Sequence, residues 1–144
     1  MIKEYKERMP EWCFSNEKFD LVLSDDIDSL STCIVLNQLK GYEISHFYNF
    51  KSLYKVEGSG KYKLIGVDMD LIKGRSFGNH PTGVFNPLGA NLNIAEGINT
   101  DNYTKKYAGS CILTVLSLYD VDISQLSTEA KMTLLAIDAS FKMY

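Results

Sequence analysis

The sequence predicts an α/β protein: a single domain in which a mainly parallel sheet is flanked by helices. Three observations lead there. The apolar run Phe19 to Ser24 breaks into an acidic turn and continues as a stretch of helical periodicity, Ser29 to Lys40. Glu43 to Phe50 and Lys63 to Val67 then read as two further strands, rich in β-branched and aromatic residues. Two more helical patterns close the chain, and strands interleaved with helices favour a sheet whose strands run parallel.

Taken in order, residues 1 to 18 are polar with interspersed aromatics, and Trp12 and Phe14 are expected to tuck against the body of the domain. The first helix places Leu30, Cys33, Ile34, Leu36 and Leu39 on one apolar face, and Gly41 suits its C-terminus. Gly58 to Gly60 mark a turn before the third strand. Leu71 to Asn102 is rich in Gly, Asn and Pro, so regular helix is not expected over most of it, and so long an irregular connection usually has a function. Tyr103 to Tyr119 reads as a helix. A last helix starts at Ser127 as N-cap, with Glu129 in its first turn, and runs to about Ala139.

At 144 residues the chain suits one domain, 1–144, with a core of about 19–141. No run approaches the ~18 apolar residues of a membrane span, and the start of the chain is charged where a signal peptide is hydrophobic, so no membrane and a cytoplasmic location are expected. Cys13, Cys33 and Cys111 are scattered and odd in number, which points to buried free thiols. A net charge of −3 argues against a broad basic surface that coats nucleic acid. It leaves room for a local phosphate site, for which Lys51, Lys55, Lys61, Lys63, Lys73, Arg75, Lys105 and Lys106 are the candidate cations, although such charges more often belong to solvated loops and helices. The aromatics Phe47, Tyr48, Phe50 and Tyr54 suit core packing better than base stacking.

Chemistry is expected at the strand ends. Asp25, Asp26 and Asp28 crowd the turn after the first strand, and Asp68 and Asp70 follow the third. Like charges so close need a cation or ample water. If the strands lie side by side, Asp26, Asp28 and Asp68 converge on one edge, where open α/β sheets bind ligands. Sites of several carboxylates suit Mg²⁺ or Mn²⁺, and two such ions about 3.5–4 Å apart activate water against phosphorus. The plainer alternative is that Asp26 or Asp28 caps the helix that follows. Asp25 and Asp70 read as solvated or as supporting the ligands from behind, and His46 as structural or exposed.

The order of the remaining motifs narrows the field. An Asp-x-Asp-x-x-Ser turn (Asp26, Asp28, Ser31), a later Asp68, an Asn-His-Pro turn (Asn79, His80, Pro81), Asn86-Pro87, an Ala-Gly-Ser (Ala108, Gly109, Ser110) and a terminal Asp138 resemble the N-terminal catalytic domain of the DHH phosphoesterase superfamily. That superfamily includes RecJ-type exonucleases, oligoribonucleases, cyclic-dinucleotide phosphodiesterases and manganese pyrophosphatases. The resemblance implies that Asp26 and Asp28 bind separate metals, that Asp68 bridges them and that Asp138 completes one coordination sphere. It implies Mn²⁺ or Mg²⁺ as cofactor, two ions in an active enzyme, and His80 facing the scissile phosphate. Gly109 and Ser110 read first as allowing close helix packing, with substrate phosphate binding at a helix N-terminus as the alternative.

The chain also departs from the family. Asn79 stands where a ligand His is expected, and Ser24 where the first motif commonly has a His. Only eleven residues separate Asp68 from His80, too few for the family's intervening helix and strand, and these 144 residues hold no counterpart of its second, substrate-gripping domain, as expected of a pared-down member, an excised fragment or a relative that has lost hydrolysis. The expected function is therefore metal-dependent hydrolysis of a phosphodiester or phosphoanhydride in a nucleotide or single-stranded nucleic acid. A second copy or a protein partner would supply the missing surface. The alternative is an inactive module of the same fold that binds a nucleotide, metal or protein. A haloacid-dehalogenase-type phosphatase also starts with Asp-x-Asp after a strand, but the Lys and paired acids that chemistry needs later are not evident.

Overall fold

The computed structural model describes residues 1–106 and 109–137. Its frame is a six-stranded sheet, of which the sequence reading anticipated three strands. The strands are β1 (Phe19–Ser24), β2 (Glu43–Tyr48), β3 (Leu53–Lys55), β4 (Lys63–Val67), β5 (Arg75–Phe77) and β6 (Gly89–Ala90), in the order β3-β2-β1-β4-β5-β6. All neighbours pair parallel except β2 with β3, a hairpin. The strands that escaped the reading, β3, β5 and β6, are two or three residues long, too short to show alternation. Helices α1 (Lys3–Lys6), α2 (Ile27–Lys40), α3 (Leu92–Ala95), α4 (Cys111–Leu118) and α5 (Thr128–Ala136) complete the fold. Among the described residues no helix is long and apolar enough to cross a membrane.

The core gathers Leu21, Ile65, Val67 and Phe77 from the sheet with Cys33 and Leu36 of α2 and Val115 and Leu118 of α4. Trp12 closes it from the other side of the chain, edge-on to Phe19 and Phe77 with ring centroids 5.9 and 5.0 Å away, and its Nε1–H donates to the Leu88 carbonyl. Phe14, expected to pack with it, is exposed instead. All three cysteines are buried and free.

Helix α2 does not bury the face its apolar spacing suggested. Cys33 and Leu36 are inside, but Leu30, Ile34 and Leu39 are exposed, while Asp28, Ser29 and Thr32 are fully buried. The reason is that these polar groups have partners under the helix. Ser29 Oγ accepts from Ser24 N (2.8 Å) and donates to the Val67 carbonyl (2.8 Å), which stitches the helix start to the ends of β1 and β4. Satisfied polar groups cost little to bury, so the hydrogen bonds and not the apolar stripe set the rotation of the helix. Gly41 ends α2 in the left-handed conformation, as its type requires.

The helix expected over Tyr103 to Tyr119 is only α4. A 3₁₀ turn, Thr100–Lys105, precedes it, and Ser110 in extended conformation caps α4 by accepting from Leu113 N. Ser127 caps α5 as expected, accepting from Ala130 N.

The stretch from Leu71 to Asn102 carries β5, β6 and α3, and the connections between these short elements are ordered by asparagines. Asn86 donates to the carbonyls of Leu71 and Gly74, Asn91 caps α3 and donates to the His80 carbonyl, and Asn93 donates to the Asn79 carbonyl. Asn86, Asn91 and Asn93 are all buried. Their amides serve backbone groups that a ladder would otherwise serve.

Candidate functional site

Strand order reverses around β1, whose two neighbours are β2 on one side and β4 on the other. Such a reversal opens a crevice at the C-terminal ends of the strands, the usual ligand position in open α/β sheets. Asp26 and Asp28 follow β1 there and Asp68 follows β4, so three of the predicted acids do converge.

Their carboxylates are used differently. Asp26 is the N-cap of α2, with Oδ1 accepting from Ser29 N at 2.8 Å. Asp28 is only 1 % exposed and reaches across to α4: its Oδ2 accepts from Cys111 N (2.6 Å) and its Oδ1 from Ile112 N (2.8 Å), with Thr32 Oγ1 at 3.3 Å. It thus anchors the start of one helix to the start of another, a pairing of anion with helix N-terminus. The same bonds use the amides of Cys111 and Ile112, and Ser110 Oγ uses that of Leu113. The helix N-terminus at Gly109 and Ser110, the alternative phosphate site, has these three donors turned inward. Gly109 gives its carbonyl to Asn79 Nδ2 (3.2 Å), and Ser110 is fully buried.

Asp68 is 5 % exposed, sits in the left-handed region at φ 55°, and its Oδ1 is buried without a hydrogen-bond partner. Asp tolerates that backbone better than most residues, yet strain of this kind concentrates at functional sites. Burial first, then hydrogen bonding with Asp26 and the charges of Asp28 and Asp26, push the Asp68 carboxyl up to about 8, while His80 draws it down. A buried, unpartnered carboxylate oxygen beside a second carboxylate has the electrostatic profile of a site that takes a cation or a proton.

His80 is held from behind. Asp70 Oδ2 accepts from His80 N (3.0 Å) and lies 3.2 Å from Nδ1, while Asp70 Oδ1 accepts from Asn91 Nδ2 (2.6 Å). With Nδ1–H assigned to Asp70, Nε2 is the nitrogen available to a ligand. The hydrogen bond from Asp70 is the largest cause of a raised His80 pKa, and Asp68 and Asp70 add attraction against burial and the Lys106 charge. His80 is thus biased toward its protonated form, and Lys106 is near enough for its charge to be felt there.

Asp70 is the residue the sequence reading undervalued. The signal was present, since Asp68 and Asp70 repeat after β4 the Asp-x-Asp that follows β1. Gly78 makes room for it: a Cβ there would lie 2.6 Å from Asp70 Cγ and Oδ2. Gly78→Ala is therefore expected to displace the Asp70 carboxylate and release His80. We expect the His80 pKa to fall toward the ordinary imidazole value and stability to drop by roughly 1–3 kcal/mol. The protein has two histidines, so NMR titration of the ring protons reads the shift directly; an unchanged His80 titration would show that the clamp is unimportant.

Among the described residues no three or more His, Cys, Asp or Glu side chains come together as a ready metal-binding group. Asp28 is engaged by α4, and Asp138 lies outside the described residues. Asp26 and Asp68 remain as the carboxylates suited to one divalent ion, with Asn79 buried close behind His80. Fold and site together define a mainly parallel α/β domain with an acidic, histidine-bearing crevice at its strand-order reversal. Comparison with protein-family models, with curated proteins and with solved structures finds no significant match to this chain.

Proposed function

We propose that the protein is a metal-dependent phosphoesterase-like domain of the DHH type that hydrolyses a phosphodiester or phosphoanhydride bond of a nucleic acid or nucleotide. The observation that supports this reading is the meeting of Asp26, Asp68 and the Asp70-held His80 at the ends of β1 and β4. Asp26 and Asp68 would hold Mn²⁺ or Mg²⁺. A divalent ion so held supplies charge stabilisation at a phosphoryl oxygen and a water of lowered pKa. His80, protonated and with Nε2 free of Asp70, donates a proton to the leaving oxygen. Asp70 fixes the ring and sustains its charge, and Lys106 adds positive potential for the phosphate.

A second reading, an inactive binding module of the same fold, draws on Asp28, whose carboxylate is committed to α4, and on Asn79 and Ser24 at the family's imidazole positions. Titration of chelator-stripped protein with Mn²⁺, followed by a phosphodiester screen, separates the two. The phosphoesterase reading expects micromolar binding that Asp68→Ala abolishes, and hydrolysis that His80→Ala reduces by roughly 10²–10⁴-fold. Metal binding without turnover of any phosphodiester or phosphoanhydride favours the module, and absence of binding removes the hydrolase.

A further inference from the structure

The aromatic residues of the β2–β3 hairpin are not core residues. Tyr54 is 54 % exposed and Phe50 63 %, and all of β3 lies at the surface. They form two ring pairs: Phe47 and Tyr54 are cross-strand partners stacked at 6.3 Å with planes 25° apart, and Tyr48 and Phe50 lie 5.4 Å apart. In each pair one ring is exposed and its partner, Phe47 or Tyr48, is half-buried, and an exposed aromatic is costly to keep in water unless something covers it.

The backbone adds a second, independent sign. Phe50 sits at φ 64°, a conformation that a bulky side chain rarely adopts. Asn49 enforces the turn, its Oδ1 accepting from Lys51 N and Ser52 N. The chain thus spends strain on holding a solvent-exposed ring at the tip of a hairpin. From His46 to Lys55 the hairpin carries Lys51 and Lys55 and no acid, in a chain of net charge −3. Neither lysine makes an ion pair among the described residues.

Position relates the rings to the crevice. Tyr48 is in register with Ser24, two residues before Asp26, so the hairpin stands at the rim of the acidic site on the neighbouring strand. Exposed rings beside cations that make no ion pair match single-stranded nucleic acid, whose bases stack and whose backbone is anionic. A peptide adding to the sheet edge is matched less well, because β3 offers only three residues for pairing.

We infer that the β2–β3 hairpin is a base-stacking platform that receives single-stranded nucleic acid and leads its backbone toward the crevice. The second half of that statement rests on the phosphoesterase reading; the first half does not. The test is fluorescence anisotropy with a labelled oligothymidylate of about 12 nucleotides and with an abasic strand of the same length, in chelator and low salt. The wild-type protein is expected to bind the thymidylate strand more tightly than the abasic one. Phe50→Ala and Tyr54→Ala are each expected to weaken thymidylate binding by roughly 5- to 150-fold and to leave the abasic strand unaffected.

Equal affinity for both strands would reveal a polyanion patch without stacking and overturn the inference. No binding of either strand, or variants that bind like wild type, would overturn it as well and leave the hairpin to a protein partner. The comparison of strands on the wild-type protein tests stacking without any variant, and the variants test whether the hairpin rings provide it. Because the assay contains no metal, failure of stacking with Mn²⁺ binding intact refutes the platform alone. The opposite pair of results refutes the phosphoesterase alone.

Discussion

Replacing Asp28 by Ala is expected to destabilise the protein by about 3–5 kcal/mol, far more than loss of an exposed acid would. Two buried backbone donors, Cys111 N and Ile112 N, lose a charged acceptor at once. Each buried donor left unsatisfied costs about 1–3 kcal/mol, and hydrogen bonds to charged groups lie at the upper end of the usual scale. In a chain of this size the loss corresponds to a melting temperature lower by roughly 10 °C or more. Asp28→Asn retains one acceptor oxygen but turns an NH₂ toward the other amide, so an intermediate loss is expected. Asp26→Ala removes the N-cap bond to Ser29 together with the hydrogen bond and like charge facing Asp68, and with the last two opposing each other it is expected to cost about 1 kcal/mol. Thermal melts of the three variants check the order, and an Asp28→Ala protein that melts with the wild type would refute the anchoring role. A metal-binding defect in Asp28→Ala would also follow from a displaced α4, which is why Asp68 is the informative position for metal titration.

Asp68→Asn is expected to do the opposite in metal-free protein, raising stability near pH 7 by about 1–4 kcal/mol. Burial and the neighbouring carboxylates hold the Asp68 carboxyl at about 8 in the folded state, against an ordinary value of 3.8. Between about pH 4 and pH 8 the folded protein therefore keeps a proton that the unfolded chain has released. Stability falls as pH rises through that window. Asparagine has no proton to lose, so the variant and the wild type should be close near pH 4 and separate progressively toward pH 8. His80 contributes in the same direction, since its raised pKa gives stability that is complete below the ordinary imidazole value and lost as pH rises through the folded one. Mn²⁺ should reverse the ranking, because only the wild type offers the carboxylate. Denaturant unfolding at pH 4.5 and 7.5, with chelator and with Mn²⁺, reads all four cases; a difference that does not vary with pH would refute this account.

The sheet's centre was legible because its strands carry their own signals. β1 and β4 are apolar runs that end on acids, and an acid after a strand marks both the strand's end and the crevice beyond it. What escaped was structure held by side-chain amides. β5, β6 and α3 are too short to show periodicity, the connections between them are tied by Asn86, Asn91 and Asn93, and nothing in spacing announces which amide meets which carbonyl. The rotation of α2 was misjudged for a related reason. Its apolar stripe suggested one face, whereas Ser29 and Asp28 had buried partners on another, and those partners lie 38 and 83 residues away in sequence. The convergence of Asp26, Asp28 and Asp68 was readable from strand order alone. The different uses of the three were not, because they depend on where the first amides of α4 arrive.

The bond from Asp28 to α4 also orders the assembly of the chain. Closing a loop of that length is slow compared with forming the β1–α2 turn, and its reward comes only when both ends are already shaped. Before then the first amides of α4 are served by water, and the helix, only eight residues long, is too short to persist alone. Residues 19 to 67 are thus expected to form before the later segment condenses on them, with the carboxylate in the first turn of α2 as the seat it docks into. A chain permuted so that α4 is made first would have to carry that helix unformed until its seat was built.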